Sequence, residues 1–125
     1  MKIYEALNRI KGLKPSQYTD EQLVTWLSEL DGQVWRDLLC HYETEHAPAL
    51  PYNEKGDMNR ELLIPFPHDA LYVSWLGAQI DYHNAETDRY TNGMMMYNAQ
   101  LQAFYNDYTR SHTAPVRVQI KGVKA

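Results

Sequence analysis

The sequence predicts a mainly α-helical single domain, and the spacing of its apolar residues is the main reason. In the C-terminal half these residues recur at steps of three and four, at Tyr90, Met94, Tyr97, Leu101, Phe104 and Tyr108. An earlier segment repeats this spacing at Leu71, Trp75, Ala78 and Tyr82. Positions three and four apart share one face of a helix, and a short polar turn near Asn84 separates the two segments. We therefore expect residues 1–125 to form one domain built on an antiparallel helical hairpin, at about residues 69–111, that packs on a long N-terminal helix.

A short helix is predicted at residues 2–11, where Ile3, Leu7 and Ile10 share one face. Gly12 and Pro15 follow and are expected to end it, because glycine favours a helix C-cap and proline cannot continue the hydrogen-bond ladder.

A long second helix is predicted from Asp20 to about Tyr42. Thr19 lies three residues before Gln22, which is the spacing of a capping box. The apolar stripe of this helix is Leu23, Leu27, Leu30, Val34, Leu38 and Tyr42. The pair Asp31-Gly32 interrupts it, and glycine inside a helix costs about 1 kcal/mol relative to alanine. We expect a bend or a break at this pair.

Residues 46–68 are predicted to be a long irregular connection, because prolines and a glycine punctuate them. Within it, Leu62-Leu63-Ile64 is apolar enough to dock on the core or to form a short strand. Asp69 is the expected N-cap of the third helix. The fourth helix should run from about Glu86 to Arg110, with Gly93 marking a kink or a close packing contact.

The tail, residues 114–125, has the period-two pattern of a strand. Val116, Val118 and Ile120 alternate with Arg117, Gln119 and Lys121. A single strand needs a partner for its backbone donors and acceptors. We expect it to pair either with the segment at residues 61–64 or with another chain. The candidate contact residues are therefore Val116, Arg117, Val118, Ile120, Lys121, Leu62, Leu63 and Ile64.

Charge is unevenly distributed along the chain. The tail contains Arg117, Lys121 and Lys124 and no acid, whereas residues 1–113 carry nine basic and sixteen acidic side chains. Affinity for phosphates comes from lysine and arginine, so an acidic body argues against extensive nucleic-acid binding. There is no long apolar run of the kind that spans a membrane, and a cytoplasmic location is expected.

The sequence offers few candidates for chemistry. In the run HYETEH, His41 and His46 are five residues apart, whereas two ligands on one helical face should be three or four apart, so a solvated helix end is favoured over a metal site. Cys40 has no nucleophile motif around it and is expected to be a buried or half-buried structural thiol. We predict no catalytic, cofactor-binding or metal-binding residue, and no enzyme.

The acids Asp81, Glu86 and Asp88 lie close to His83 around the hairpin turn. Such groups can perform acid–base catalysis. Glu86 and Asp88 also fit the acidic first turn of a helix, with Asn84 as its cap, and this structural interpretation is favoured.

Five stretches of the chain together resemble small proteins encoded by tailed phages and prophages of Gram-positive bacteria. They are Tyr4-Glu5-Ala6-Leu7-Asn8-Arg9, Tyr18-Thr19-Asp20-Glu21-Gln22, Trp26-Leu27-Ser28-Glu29-Leu30-Asp31-Gly32, Arg60-Glu61-Leu62-Leu63-Ile64-Pro65 and Ala78-Gln79-Ile80-Asp81-Tyr82-His83-Asn84. The wider group that the chain is similar to is the head–tail connector, or head-completion, proteins of the DNA-packaging gene region.

The resemblance implies a non-enzymatic virion assembly protein. Such a connector forms a ring between portal and tail, and its expected partners are the portal protein, the tail-completion proteins and further copies of itself. It would be located in the bacterial cytoplasm during assembly and at the head–tail junction of the virion. A DNA contact in the channel fits this role, whereas a membrane or a small-molecule substrate does not.

Two other functions remain open at this level. One is a DNA-packaging or regulatory DNA-binding protein of the same gene region, for which Lys2, Arg9, Lys11 and Lys14 would be the basic surface. The other is a small metal-dependent enzyme that uses His41 and His46.

Overall fold

The structure, a computed structural model, describes residues 1–42 and 47–112. This part of the chain contains four α-helices: α1 at Ile3–Leu13, α2 at Asp20–Asp37, α3 at Leu71–His83 and α4 at Thr87–Ser111. Two short 3-10 helices lie at Leu39–His41 and His68–Ala70. The mainly α-helical class is therefore confirmed. The predicted strand at residues 114–125 lies outside the described residues.

Helix α2 begins where the sequence indicates and ends earlier than expected. The Thr19 side chain accepts a hydrogen bond from the backbone N–H of Gln22, as a helix N-cap does. The helix continues through Gly32, so the expected break into two shorter helices is wrong. It ends at Asp37 rather than near Tyr42, and a single 3-10 turn follows.

Two predicted caps are wrong. Asp69 lies inside the short 3-10 helix, and its carboxylate is 3.3 Å from the amino group of Met1 instead of capping α3. Asn84 is the residue that ends α3, and Glu86 is the N-cap of α4. Helix α1 also passes through Gly12 and ends at Leu13.

Helix α3 is the central element of the described fold. It contacts all three other α-helices, and most extensively α4. The side chains that it buries lie around much of its circumference: Leu71, Tyr72, Leu76, Ala78, Ile80 and Asp81. Tyr82, predicted on the buried stripe, is instead 60% exposed.

Helix α4 packs along α3 through the face that its periodicity predicts. Tyr97 and Phe104 are buried, and Met94, Leu101 and Tyr108 pack partly buried against the core. The Trp75 and Tyr97 rings have centroids 5.0 Å apart, and those of Tyr82 and Tyr90 are 5.3 Å apart. A Cβ added at Gly93 would lie 3.5 Å from Cβ of Ala78, so this glycine marks a close helix contact.

Candidate functional site

A buried polar cluster holds the long connection against the helices. The Asp31 carboxylate accepts hydrogen bonds from the hydroxyls of Tyr52 at 2.6 Å and Tyr72 at 2.5 Å, and from the backbone N–H of Leu63 at 3.1 Å. Burial raises the pKa of this carboxyl, although the hydrogen bonds oppose the rise. Burial and the neighbouring Asp31 charge raise the pKa of Tyr72 well above its ordinary value. These donors satisfy the carboxylate, which gives the cluster a structural role.

The segment at residues 62–64 uses its backbone donors within the chain. The N–H of Leu62 donates to the carbonyl of Met1, that of Leu63 to Asp31, and that of Ile64 to the hydroxyl of Tyr72. These three N–H groups are therefore not free to donate hydrogen bonds to an added strand. The segment is therefore a poor template for strand pairing.

The predicted contact residues fall into two groups. Leu62 and Ile64 are 5% and 0% exposed in the chain's own core, and Leu63 is half-buried. This burial leaves Leu63 as the accessible side chain of the three. The other five, Val116, Arg117, Val118, Ile120 and Lys121, lie outside the described residues.

The basic N-terminal surface is partly neutralised by acids of the same chain. The ammonium of Lys11 lies 2.5 Å from Oδ1 of Asp20. Lys14 donates to both carboxylate oxygens of Asp81, at 2.8 and 2.7 Å, and this carboxylate is buried. Two of the four cations that could have bound DNA are therefore used within the fold.

The groups around the turn between α3 and α4 also have structural partners. Arg89 pairs with Glu86 at 3.0 Å, and the His83 ring stacks on Trp26 with a centroid distance of 5.0 Å. Because Asp81 is held by Lys14, these residues serve separate contacts rather than one acid–base centre.

The residues that the structure describes contain no group of three or more histidine, cysteine or acidic side chains that could hold a metal ion. His41 is exposed, whereas His46 lies outside the described ranges. Cys40 is exposed, so the prediction of a buried or half-buried thiol is wrong; its sulfur lies 3.2 Å from the carbonyl oxygen of Arg36.

An apolar groove lies between α1, α3 and α4, and we call it the Leu13–Met96 groove. Its volume is about 370 Å³. Leu13 and Met96 border it and are 75% and 61% exposed. Its remaining lining consists of Ile10, Lys14, Val73, Ser74, Gly77, Ala78, Asp81, Arg89, Asn92 and Gly93. The side chains that the groove leaves uncovered are large and apolar, which is typical of a contact surface.

A second groove lies at the other end of α4, beside His112. It has a volume of about 410 Å³, and its lining is mostly apolar and aromatic: Trp35, Leu39, Pro48, Leu63, Pro65, Phe104, Tyr108 and His112. His112, the last of the described residues, is part of this lining.

A partial signal for the Leu13–Met96 groove was visible in the sequence. In the run Met94-Met95-Met96, the helical period places Met94 on the core face. Met95 and Met96 then face to the side of the helix, where a partner could contact them. In the structure Met94 packs on the core, and Met95 and Met96 are exposed. Leu13 was missed because α1 was expected to end before it.

No protein-family model matches the chain, and comparisons with curated proteins and with solved structures also found no match. Within residues 1–42 and 47–112, no helix has both the length and the apolar character needed to cross a bilayer. A functional proposal therefore depends on the chain's own sequence and geometry.

Proposed function

We propose that the chain is a non-enzymatic virion assembly protein, a head–tail connector that forms a ring between the portal and the tail of a tailed phage or prophage. The proposal takes α3 and α4 as the antiparallel hairpin on which the domain is built, and residues 114–125 as a strand-like arm. It follows the resemblance of the sequence to such proteins, and the structure contributes surfaces suited to binding.

The observation that carries the proposal is that the backbone N–H groups of residues 62–64 already donate hydrogen bonds within the chain. The tail has the alternation of a strand, and its one candidate partner within the chain has its three N–H groups bound to Met1, Asp31 and Tyr72. This favours contact of the tail with another chain over the alternative of folding back on Leu62-Leu63-Ile64. Strand addition and groove binding are common ways in which one chain recognises a segment of another.

The exposed Leu13–Met96 groove supports the same function. A ring of identical subunits needs two different surfaces on each subunit, one for each neighbour. The tail and the groove are two such surfaces, and the groove beside His112 offers a third surface for the portal or a tail-completion protein.

The DNA-binding alternative has less support. Lys11 and Lys14 are paired with Asp20 and Asp81, which leaves Lys2 and Arg9 of the expected basic surface. Neutralising few phosphates gives weak binding with a shallow dependence on salt concentration.

The test is mass spectrometry of purified particles from an induced host, with the chain's abundance compared with those of portal and major capsid protein. We expect an abundance similar to that of the portal. A Val118→Asp variant, which breaks the apolar alternation of the tail, should be depleted from particles, whereas Gln33→Asp, on the exposed face of α2, should be retained. Absence of the wild-type chain from mature particles would refute the connector function and direct attention to DNA packaging or regulation.

A further inference from the structure

The Leu13–Met96 groove exposes large apolar side chains that no described residue covers. We propose that this groove binds the C-terminal segment, residues 113–125, of a second copy of the chain. The inference deepens the proposed function, on which it rests for the ring, by naming the two surfaces that join neighbouring subunits.

The side chains of the segment match the groove in polarity. Val116, Val118 and Ile120 alternate with polar residues, so an extended segment presents all three to one side. The groove offers Leu13, Val73 and Met96 as apolar counterparts. Burying both sets removes apolar surface from water, which is the main driving force of association.

Charge favours the same occupant. The segment carries three basic side chains and no acid, whereas the rest of the chain has sixteen acids and nine bases. The two cations at the groove, Lys14 and Arg89, are each bound to a carboxylate, of Asp81 and Glu86. Because of these ion pairs, Lys14 and Arg89 repel a basic segment less strongly than unpaired cations would. Asp88, in the first turn of α4, adds an exposed negative charge.

The length of α4 requires the contact to be between copies. A helix rises 1.5 Å per residue, so the sixteen rises from Met96 to His112 span about 24 Å. An extended chain covers at most about 3.6 Å per residue, so Val118, six residues beyond His112, reaches about 22 Å and Val116 about 14 Å. A segment of the same chain therefore cannot place all three apolar side chains in the groove, whereas a second copy can.

The contact that results is heterologous. His112, the residue that precedes the segment, lies at one end of α4, and the groove lies toward the other end. Each copy donates a segment to one neighbour and accepts one from another. Contacts of this kind generate rings when the rotation between neighbours closes.

Two full-length variants test the arrangement by complementation. Met96→Asp disables the groove, Val118→Asp disables the segment, and each variant alone retains only one working surface. Mixed in equal amounts, with one of them labelled with nitrogen-15, they should form a one-to-one heterodimer in native mass spectrometry and nothing larger. Met95→Asp is the matched control, because Met95 neighbours Met96 on α4, is 67% exposed and does not line the groove. Thermal melting of each variant establishes that it is folded.

A labelled synthetic peptide of residues 112–125 extends the test to conditions in which the free protein is monomeric. Its affinity for the full-length Val118→Asp protein should fall on the order of tenfold or more when Met96→Asp is added, and stay unchanged when Met95→Asp is added instead. Saturable binding that is indifferent to Met96→Asp would place the segment elsewhere, including the groove beside His112, and overturn the proposal. Absence of both binding and heterodimer would also overturn it. Neither result bears on whether the chain is present in particles, so failure of this contact is distinguishable from failure of the connector function.

Discussion

The hydroxyl of Tyr72 donates a hydrogen bond to Asp31 and accepts one from the backbone N–H of Ile64, at 2.5 and 2.8 Å. One side chain of α3 thus links α2 to the end of the long connection. Tyr52, earlier in the connection, bonds to the same carboxylate and donates its N–H to Ser28 of α2. Residues 52–64 are therefore fixed to the helices by buried polar contacts as well as by apolar packing.

Removing the Tyr72 hydroxyl should destabilise the protein. In Tyr72→Phe, the N–H of Ile64 loses its acceptor and Asp31 loses a donor, while both groups stay buried. Leaving buried polar groups unsatisfied costs about 1–3 kcal/mol, and we expect a loss of that size in the free energy of unfolding. Urea denaturation followed by circular dichroism measures it.

Tyr82→Phe is the matched control, because Tyr82 is exposed on the same helix. This change should alter stability by less than about 0.5 kcal/mol. Equal stability of the two variants would show that the Tyr72 hydroxyl is not held as described.

The role of Asp31 shows what the sequence alone could not give. Next to Gly32 it was interpreted as an interruption of the helix, because an acid and a glycine are both poor choices for a helix interior. The structure keeps the helix intact and uses Asp31 to bind groups from residues 52, 63 and 72. Those partners are distant in sequence, and no local pattern marks them.

Periodicity was most reliable for helices with one buried face. Helix α4 has its other side exposed, and both its extent and its buried stripe were predicted closely. Helix α3 is covered by three helices, so Tyr72, Leu76 and Ile80 are buried although they lie off the predicted stripe, whereas Tyr82 on that stripe is exposed. A helix surrounded by neighbours has no single apolar stripe, and a single-period pattern cannot identify its buried residues.

Asp31 should also make stability depend on pH in the acidic range. Burial raises the pKa of this carboxyl in the folded state above its ordinary value of 3.8. Between the two pKa values the folded state holds more protons than the unfolded state, so the Asp31 contribution to stability falls as pH rises through this window. Below 3.8 and above the folded-state pKa it is constant.

The difference in unfolding free energy between the wild type and Asp31→Asn, measured from pH 3 to 7, isolates this dependence. As pH rises, the unfolding free energy of the wild type should fall relative to that of Asp31→Asn. Carbon-13 NMR titration of the Asp31 carboxyl provides the direct check, and a folded-state pKa at or below 3.8 would contradict the prediction.

Two positions of the α4 stripe should differ in their cost of truncation. Tyr97 is buried beside Trp75, and Leu101 is partly buried. Tyr97→Ala should lower the free energy of unfolding by about 3–5 kcal/mol, as for other large aromatic side chains in a core, and Leu101→Ala should cost less. Ala103→Ser, on the exposed side of α4, is the control for helix propensity. Chemical denaturation ranks the three, and a larger loss for Leu101→Ala would show that α4 is rotated from its described position.

The ion pair between Lys14 and Asp81 joins the end of α1 to α3, and its two members should not contribute equally when removed. Asp81 is buried, whereas Lys14 is one-third exposed. Lys14→Met leaves a buried carboxylate without its cation, which is the costly arrangement for a buried pair, and partial exposure of the lysine reduces the loss to about 1–3 kcal/mol. Adding Asp81→Asn removes the unpaired charge, so the double variant should recover much of that stability.

A double-mutant cycle by urea denaturation measures the coupling between Lys14 and Asp81. Additive effects of the two changes would mean that the carboxylate remains solvated when Lys14 is absent, and that the ammonium is not what holds α1 against α3.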